Sequence, residues 1–136
     1  MHRMISALIE RQGGWAKPLG ERAQEVAGEV FAGRAPLKDA LNGTWFGHPV
    51  HPVVTDIPVG AMTLAVLLDV TGNDRGADLA VATGLAGMAA SAATGVADAV
   101  DAEGKPQLLA TVHSTLMIAS FGAYVLSFLL RLGPRG

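Results

Sequence analysis

Twenty-five consecutive residues without a charged side chain, between Lys105 and Arg131, constrain this chain more than any other feature. About 20 apolar helical residues span a hydrocarbon core, and the run from Pro106 to Leu130 meets that length. A second uncharged run lies between Asp78 and Asp98, with its apolar part from Leu79 to Ala97. A third segment is weaker, because Asp56 and Asp69 leave only twelve uncharged residues between them. It reaches membrane length only when counted from about Pro52 to Thr71, with Asp56 in the entry turn. Pro58 is tolerable only near a helix start. A soluble domain of 136 residues needs more polar surface than this half of the chain supplies: residues 1–47 hold eleven charged side chains, and the whole remainder holds another eleven. The expected fold is an all-α integral membrane bundle of three spans over 48–136, behind an amphipathic helical cap over 1–47.

The cap is not a signal peptide, since Arg3, Glu10 and Arg11 interrupt any apolar core and no small-residue cleavage site follows. Met4, Ile5, Leu8 and Ile9 share one helical face, and Gly13-Gly14 is expected to end that run. Trp15, Leu19, Ala23, Val26 and Val30 recur at steps of three and four, with Glu21, Arg22, Glu25 and Glu29 off the stripe. A third short helix is expected from Pro36 to Asn42-Gly43, because proline suits a first turn and glycine a C-terminus. Such helices either pack on their own bundle or lie in the lipid interface. Six basic against five acidic residues argue against a polybasic lipid anchor.

Within the second hydrophobic segment, Thr83, Gly87, Ser91 and Gly95 repeat every four residues. Small residues let another helix approach closely, so this segment is expected at the centre of the bundle. With three spans, residues 1–47 and the loop holding Lys105 share one side and carry seven basic residues. Arg75, Arg131 and Arg135 lie on the other. The positive-inside rule then places the N-terminus in the cytoplasm of a multi-pass cell-membrane protein.

Several functions are set aside. A net charge of -2 gives no electrostatic reason to expect nucleic acid. The absence of cysteine excludes disulfides, thiolate metal sites and cysteine nucleophiles. There is no phosphate-binding glycine loop, no helical His-Glu-x-x-His, and no strand before Gly87 or Gly95 that would make a dinucleotide site. Ser91, Ser114 and Ser120 lack the context of an activated nucleophile. The chain is therefore not expected to be an enzyme.

The chemistry that remains is in residues 43–60, GTWFGHPVHPVVTDIPVG. Each proline biases the histidine before it toward extended geometry, and with three residues per polyproline turn His48 and His51 would project from one side. Asp56 follows at the membrane edge, where a carboxylate marks either function, a buried partner or a helix cap. His113 lies about 10 Å into the third segment by helix rise. The first and third spans enter from the same face, and the second ends there with Asp98 and Asp101. Two arrangements follow. His48, His51 and His113 could bind haem or a metal ion, with Asp56 or Asp98 accepting the other ring N–H. Alternatively, the same groups only hydrogen-bond and stitch helices together.

These residues carry a resemblance. GTWFGHPVHPVVTDIPVGAMTLAVLLD resembles the signature of the bacterial membrane proteins catalogued as domain of unknown function 2231, through Gly47, His48, Pro49, His51, Pro52, Thr55, Asp56, Pro58 and Gly60. Thr94, Gly95 and Asp98 match the end of that family's second helix, His113 matches a histidine early in its third, and the lead-in at Gly43-Thr44-Trp45 is similar. The likeness covers nearly the whole chain. The family usually continues into a fourth helix with a Gly-Gly pair, which this sequence lacks. Some relatives are fused to Rieske-type domains, so the resemblance implies a link to electron transfer. The expected function is a small non-catalytic membrane subunit, in a homo-oligomer or membrane complex, in contact with the lipid bilayer. The alternative is a haem- or metal-binding redox module built on the three histidines.

Overall fold

A computed structural model describes Arg11 and residues 13–133. Its described part is helical: α1 Gly13–Phe31, α2 Ala35–Asn42, a 3-10 turn Thr44–Phe46, α3 Val50–Val70, α4 Asp74–Ala99 and α5 Lys105–Arg131. The last three are long and apolar enough to cross a membrane. In a bilayer the backbone must satisfy its own hydrogen bonds, which is why long uncharged runs fold as helices.

The helix ends follow local chemistry. Gly43 closes α2 in the left-handed conformation (φ 78°), its N–H donating to Asp39 O. A Cβ there would lie 2.4 Å from the His48 carbonyl, so the position has room only for glycine. Asn73 caps α4 by accepting from Gly76 N at 3.0 Å. Pro106 occupies the first turn of α5, where a missing N–H leaves nothing unpaired.

Two helix starts bear on the expectations. Helix α1 begins at Gly13, so Gly13-Gly14 starts a helix, and whether the pair also ends one lies outside the described residues. The preceding stripe of Met4, Ile5, Leu8 and Ile9 lies outside the described residues. In addition, α3 starts at Val50 rather than near Pro52, with Pro49 as its N-cap. Pro52 is thus in the first turn, while Pro58 falls within the helix and is buried. Asp56 is consequently neither in the entry turn nor a cap, but an exposed residue one turn further in.

Helices α3 and α4 form an antiparallel hairpin through the short link Thr71–Asn73. Met62 packs at Gly84, Pro58 and Ile57 at Gly87, and His51 at Gly95. A Cβ on Gly87 would come within 2.9 Å of Pro58 Cδ and 3.1 Å of Pro58 N. The proline ring, awkward for a helix interior, is therefore accommodated by a glycine opposite. As expected, α4 is central: it packs on α3, α5 and α2. Its buried residues include Ala80, Gly84, Gly87, Ser91, Thr94 and Ala97, whereas Thr83 is exposed. Steps of four drift by about 40° per step on a helix of 3.6 residues per turn. Alternating steps of three and four keep the seam facing its partner.

The cap sits over one end of this bundle. On α1, Ala16, Gly20 and Ala27 are buried, and the small face packs along α5. The large residues of the expected stripe, Trp15, Leu19, Val26 and Val30, are exposed.

Candidate functional site

Two polar layers bracket the apolar part of the bundle. The layer away from the cap is an ion cluster. Arg131, in the last turn of α5, donates through Nη1 to Asp69 Oδ1 at 2.8 Å and through Nη2 to Asp69 Oδ2. The same guanidinium lies 3.5 Å from Asp78 Oδ1 on α4. One side chain thus ties the ends of all three long helices, in the bidentate geometry that arginine offers a carboxylate. Close by, Phe128 of α5 packs against Ala65, Ala80 and Val81.

The layer beneath the cap is built around His51. Its Nδ1 lies 2.9 Å from the Ser91 carbonyl and 3.1 Å from Thr94 Oγ1. A carbonyl only accepts, so Nδ1 carries the proton and donates, which leaves the Nε2 lone pair unprotonated in the neutral ring. The ring reaches α4 because Gly95 has no side chain; a Cβ there would sit 2.8 Å from His51 Cε1. Asp98 is near enough to His51 to interact with it electrostatically. With its amide oriented so that donors meet acceptors, Asn42 of α2 donates to Ala97 O and Asp98 Oδ1, each at 3.2 Å. Gln24 of α1 donates to Ala99 O at 2.8 Å and Ala102 O at 2.6 Å, and accepts from Gln107 of α5. Lys38 pairs with Asp101. Carbonyls at the end of α4, which have no partner within the helix, are thereby met by side chains of the cap.

The spacing of the two layers is set by helix rise. His51 and Asp69 are eighteen residues apart on α3, as are His113 and Arg131 on α5, about 27 Å in each case. Thr94 and Asp78 are sixteen apart on α4, about 24 Å. Three helices therefore agree on a slab close to the ~30 Å hydrocarbon thickness, free of charge except for exposed Asp56, five residues or about 8 Å inside its cap-side edge.

The candidate residues do not gather. His51 is half-buried against α4, whereas His48, Asp56 and His113 are exposed. His48 meets Phe46 edge-on, with ring centroids 6.5 Å apart. His113 shares the level of His51 by rise but stands on a different helix, and α4 is the helix that packs with both. Among the described residues, no group of three or more His, Cys, Asp or Glu side chains could hold a metal ion. The expected convergence of His48, His51 and His113 beside Asp56 is thus corrected. Because α3 begins before Pro52, His51 is helical, and the polyproline geometry that would align it with His48 does not form. Of the two acidic neighbours, Asp98 joins His51 and Asp56 does not.

Sequence reasoning did not assign roles to Asn42, Gln24 and Gln107, or to the Arg131 cluster. The signal for the cluster is present: Asp69, Asp78 and Arg131 each end an uncharged run on the same side. Nothing local marks the amides, whose partners lie far along the chain.

No family model, curated protein or solved structure matches the chain. Its fold and layered polarity define a small helical protein with three helices able to cross a membrane.

Proposed function

We propose that the chain is a small, non-catalytic, multi-pass subunit of the cell membrane, with its cap and N-terminus in the cytoplasm. The observation that carries this reading is the use of the polar groups beneath the cap. His51, Asn42 and Gln24 all bond to main-chain carbonyls of α4 or the turn after it. Polar side chains spent on joining helices make a scaffold rather than a reaction centre. The excess of lysine and arginine on the cap side supports the orientation. Membership of a membrane complex or homo-oligomer, and a link to electron transfer, rest on the resemblance to the domain of unknown function 2231 family. The test is the mass of the protein solubilised gently from its native membrane. A larger assembly is expected, and a monomer at every detergent concentration would sink the subunit reading.

A second reading has one observation in its favour. The Ser91 carbonyl holds the His51 proton on Nδ1, and a ligating histidine commonly donates its other N–H to a carbonyl in this way. His51 could then offer Nε2 to haem or to a metal ion, with His48 or His113 supplying a further ligand across a subunit boundary. An oxidised-minus-reduced optical spectrum decides for haem. Bands that vanish in His51→Ala establish this reading, and a featureless spectrum removes haem.

A further inference from the structure

We propose that the N-terminal part of the cap's first helix is immersed in the headgroup–acyl boundary of the bilayer its own spans cross, held there by Trp15 and Leu19 of the exposed apolar stripe of α1 and by Trp45 and Phe46. The surface of α1 divides into three arcs. Ala16, Gly20 and Ala27 are buried against the bundle, Trp15, Leu19, Val26 and Val30 are exposed and apolar, and Lys17, Glu21, Glu25 and Glu29 are exposed and charged. A helix resting on protein on one side, with an oily arc and a charged arc on the others, fits a boundary between lipid and water.

The depth of α1 makes lipid the occupant of the N-terminal part of that oily arc. Gly20 is set against Thr111, since a Cβ on it would come within 2.3 Å of Thr111 Oγ1, while Gln24 bonds to Gln107. Moving back along α1 therefore means moving forward along α5, so the two run antiparallel and the N-terminal half of α1 descends toward the bilayer. Thr111 lies two residues before His113, about 3 Å above the edge of the slab. Trp15, five residues before Gly20, reaches at most about 8 Å further down, while Val26 and Val30 lie on the side of Gly20 away from the bilayer. Trp15 is thus at interfacial depth, where tryptophan concentrates.

The second contact is on a separate element at the same end of the bundle. Trp45 and Phe46 stand in the 3-10 turn just before α3, 73% and 55% exposed. Trp45 already satisfies its ring N–H by donating to Ala40 O at 3.0 Å, so its exposed part is hydrocarbon. The stripe is flanked by charges of both signs, which points to an apolar, zwitterionic boundary rather than to an anionic surface.

The two tryptophans are the only ones in the chain, so each reports alone when the other is replaced. Trp45→Phe and Trp15→Phe proteins are reconstituted in phosphatidylcholine vesicles whose acyl chains carry bromine at shallow or deep carbons. Shallow bromine should quench each tryptophan about twofold more strongly than deep bromine, and aqueous iodide should quench weakly. Quenching of Trp15 by iodide but not by bromine would put the stripe in water. Quenching by neither would mean that protein, such as a second copy, covers it; stronger quenching by deep bromine would bury α1 in the acyl core. Each of these outcomes overturns the proposal. A second measurement does not need tryptophan exchange. The chain has no cysteine, so Leu19→Cys and Glu21→Cys, at nearly the same level on opposite arcs, each accept a single spin label. The label at 19 should be relaxed more by oxygen and the label at 21 more by an aqueous nickel chelate; equal responses would also overturn it.

Discussion

Along the α3–α4 seam, Met62, Pro58 with Ile57, and His51 of α3 fill the space beside Gly84, Gly87 and Gly95, leaving none for a Cβ, whereas on α5 a Cβ added to Gly122 meets nothing within 4 Å. Both regions are apolar and of membrane length, yet α4 has eight buried residues and α5 has none. The difference teaches what holds helices together in lipid. Apolar side chains gain little by leaving one oily surface for another, so close packing and polar contacts decide the pairing. Helix α4 has both, in its small residues and in the Ser91–Thr94 site for His51. Helix α5 is fastened mainly at its two ends, by Arg131 at one and by Gln107 and the small face of α1 at the other.

The largest effect should come from filling the tight seam. Gly87→Leu drives side-chain atoms into Pro58 and Ile57, including the Pro58 backbone nitrogen, and is expected to cost about 3 kcal/mol or prevent assembly. Gly122→Leu on α5 should leave stability nearly unchanged. Unfolding of both variants in the same detergent gives the comparison, and equal effects would break it.

Next comes the end of α5. Arg131→Gln removes the tie to Asp69 and Asp78 and should cost about 1 kcal/mol, given that the groups remain partly solvated. The loss should appear as freer motion of α5 relative to the α3–α4 hairpin. A spin–spin distance distribution between labels on α3 and α5 that broadens while α3–α4 distances stay sharp would confirm this; uniform broadening would contradict it.

A similar change should follow His51→Ala, which deletes the α3-to-α4 hydrogen bonds at a cost of about 1 kcal/mol. The smallest expected effect is that of His113→Ala, within about 0.5 kcal/mol, as for other exposed sites. Thermal unfolding of the two variants side by side checks the pair. A larger loss at His113 would mean that it has a partner that the described residues do not supply.

The three spans were legible because each long uncharged run needs no distant partner to become a helix. Their bounds shifted by only a few residues, as in α3, where proline in the first turn allowed an earlier start at Val50. The central place of α4 was legible from its small residues, but not which of them face inward. Thr83 fits a four-residue repeat and is exposed, because a seam follows the average of three and four. The site was less legible. Histidines that lie close in sequence, or level in depth, were expected together. Sharing a level says nothing about sharing a face, and His51 turned to α4 while His48 and His113 did not.

On α1 the apolar stripe was legible and its direction was not. The large residues look outward and Ala16, Gly20 and Ala27 look inward, since only small residues let α1 approach Thr111 and Gln107 closely. By itself, then, the sequence determined the helices, their lengths and the polar edges of the slab, because helical hydrogen bonds and burial in oil are local matters. Only the tertiary structure decided that His51 meets Ser91 and Thr94, that Arg131 gathers Asp69 and Asp78, and that Asn42 and Gln24 reach the carbonyls at the end of α4. Those pairings depend on which surfaces fit at close range between residues far apart in the chain.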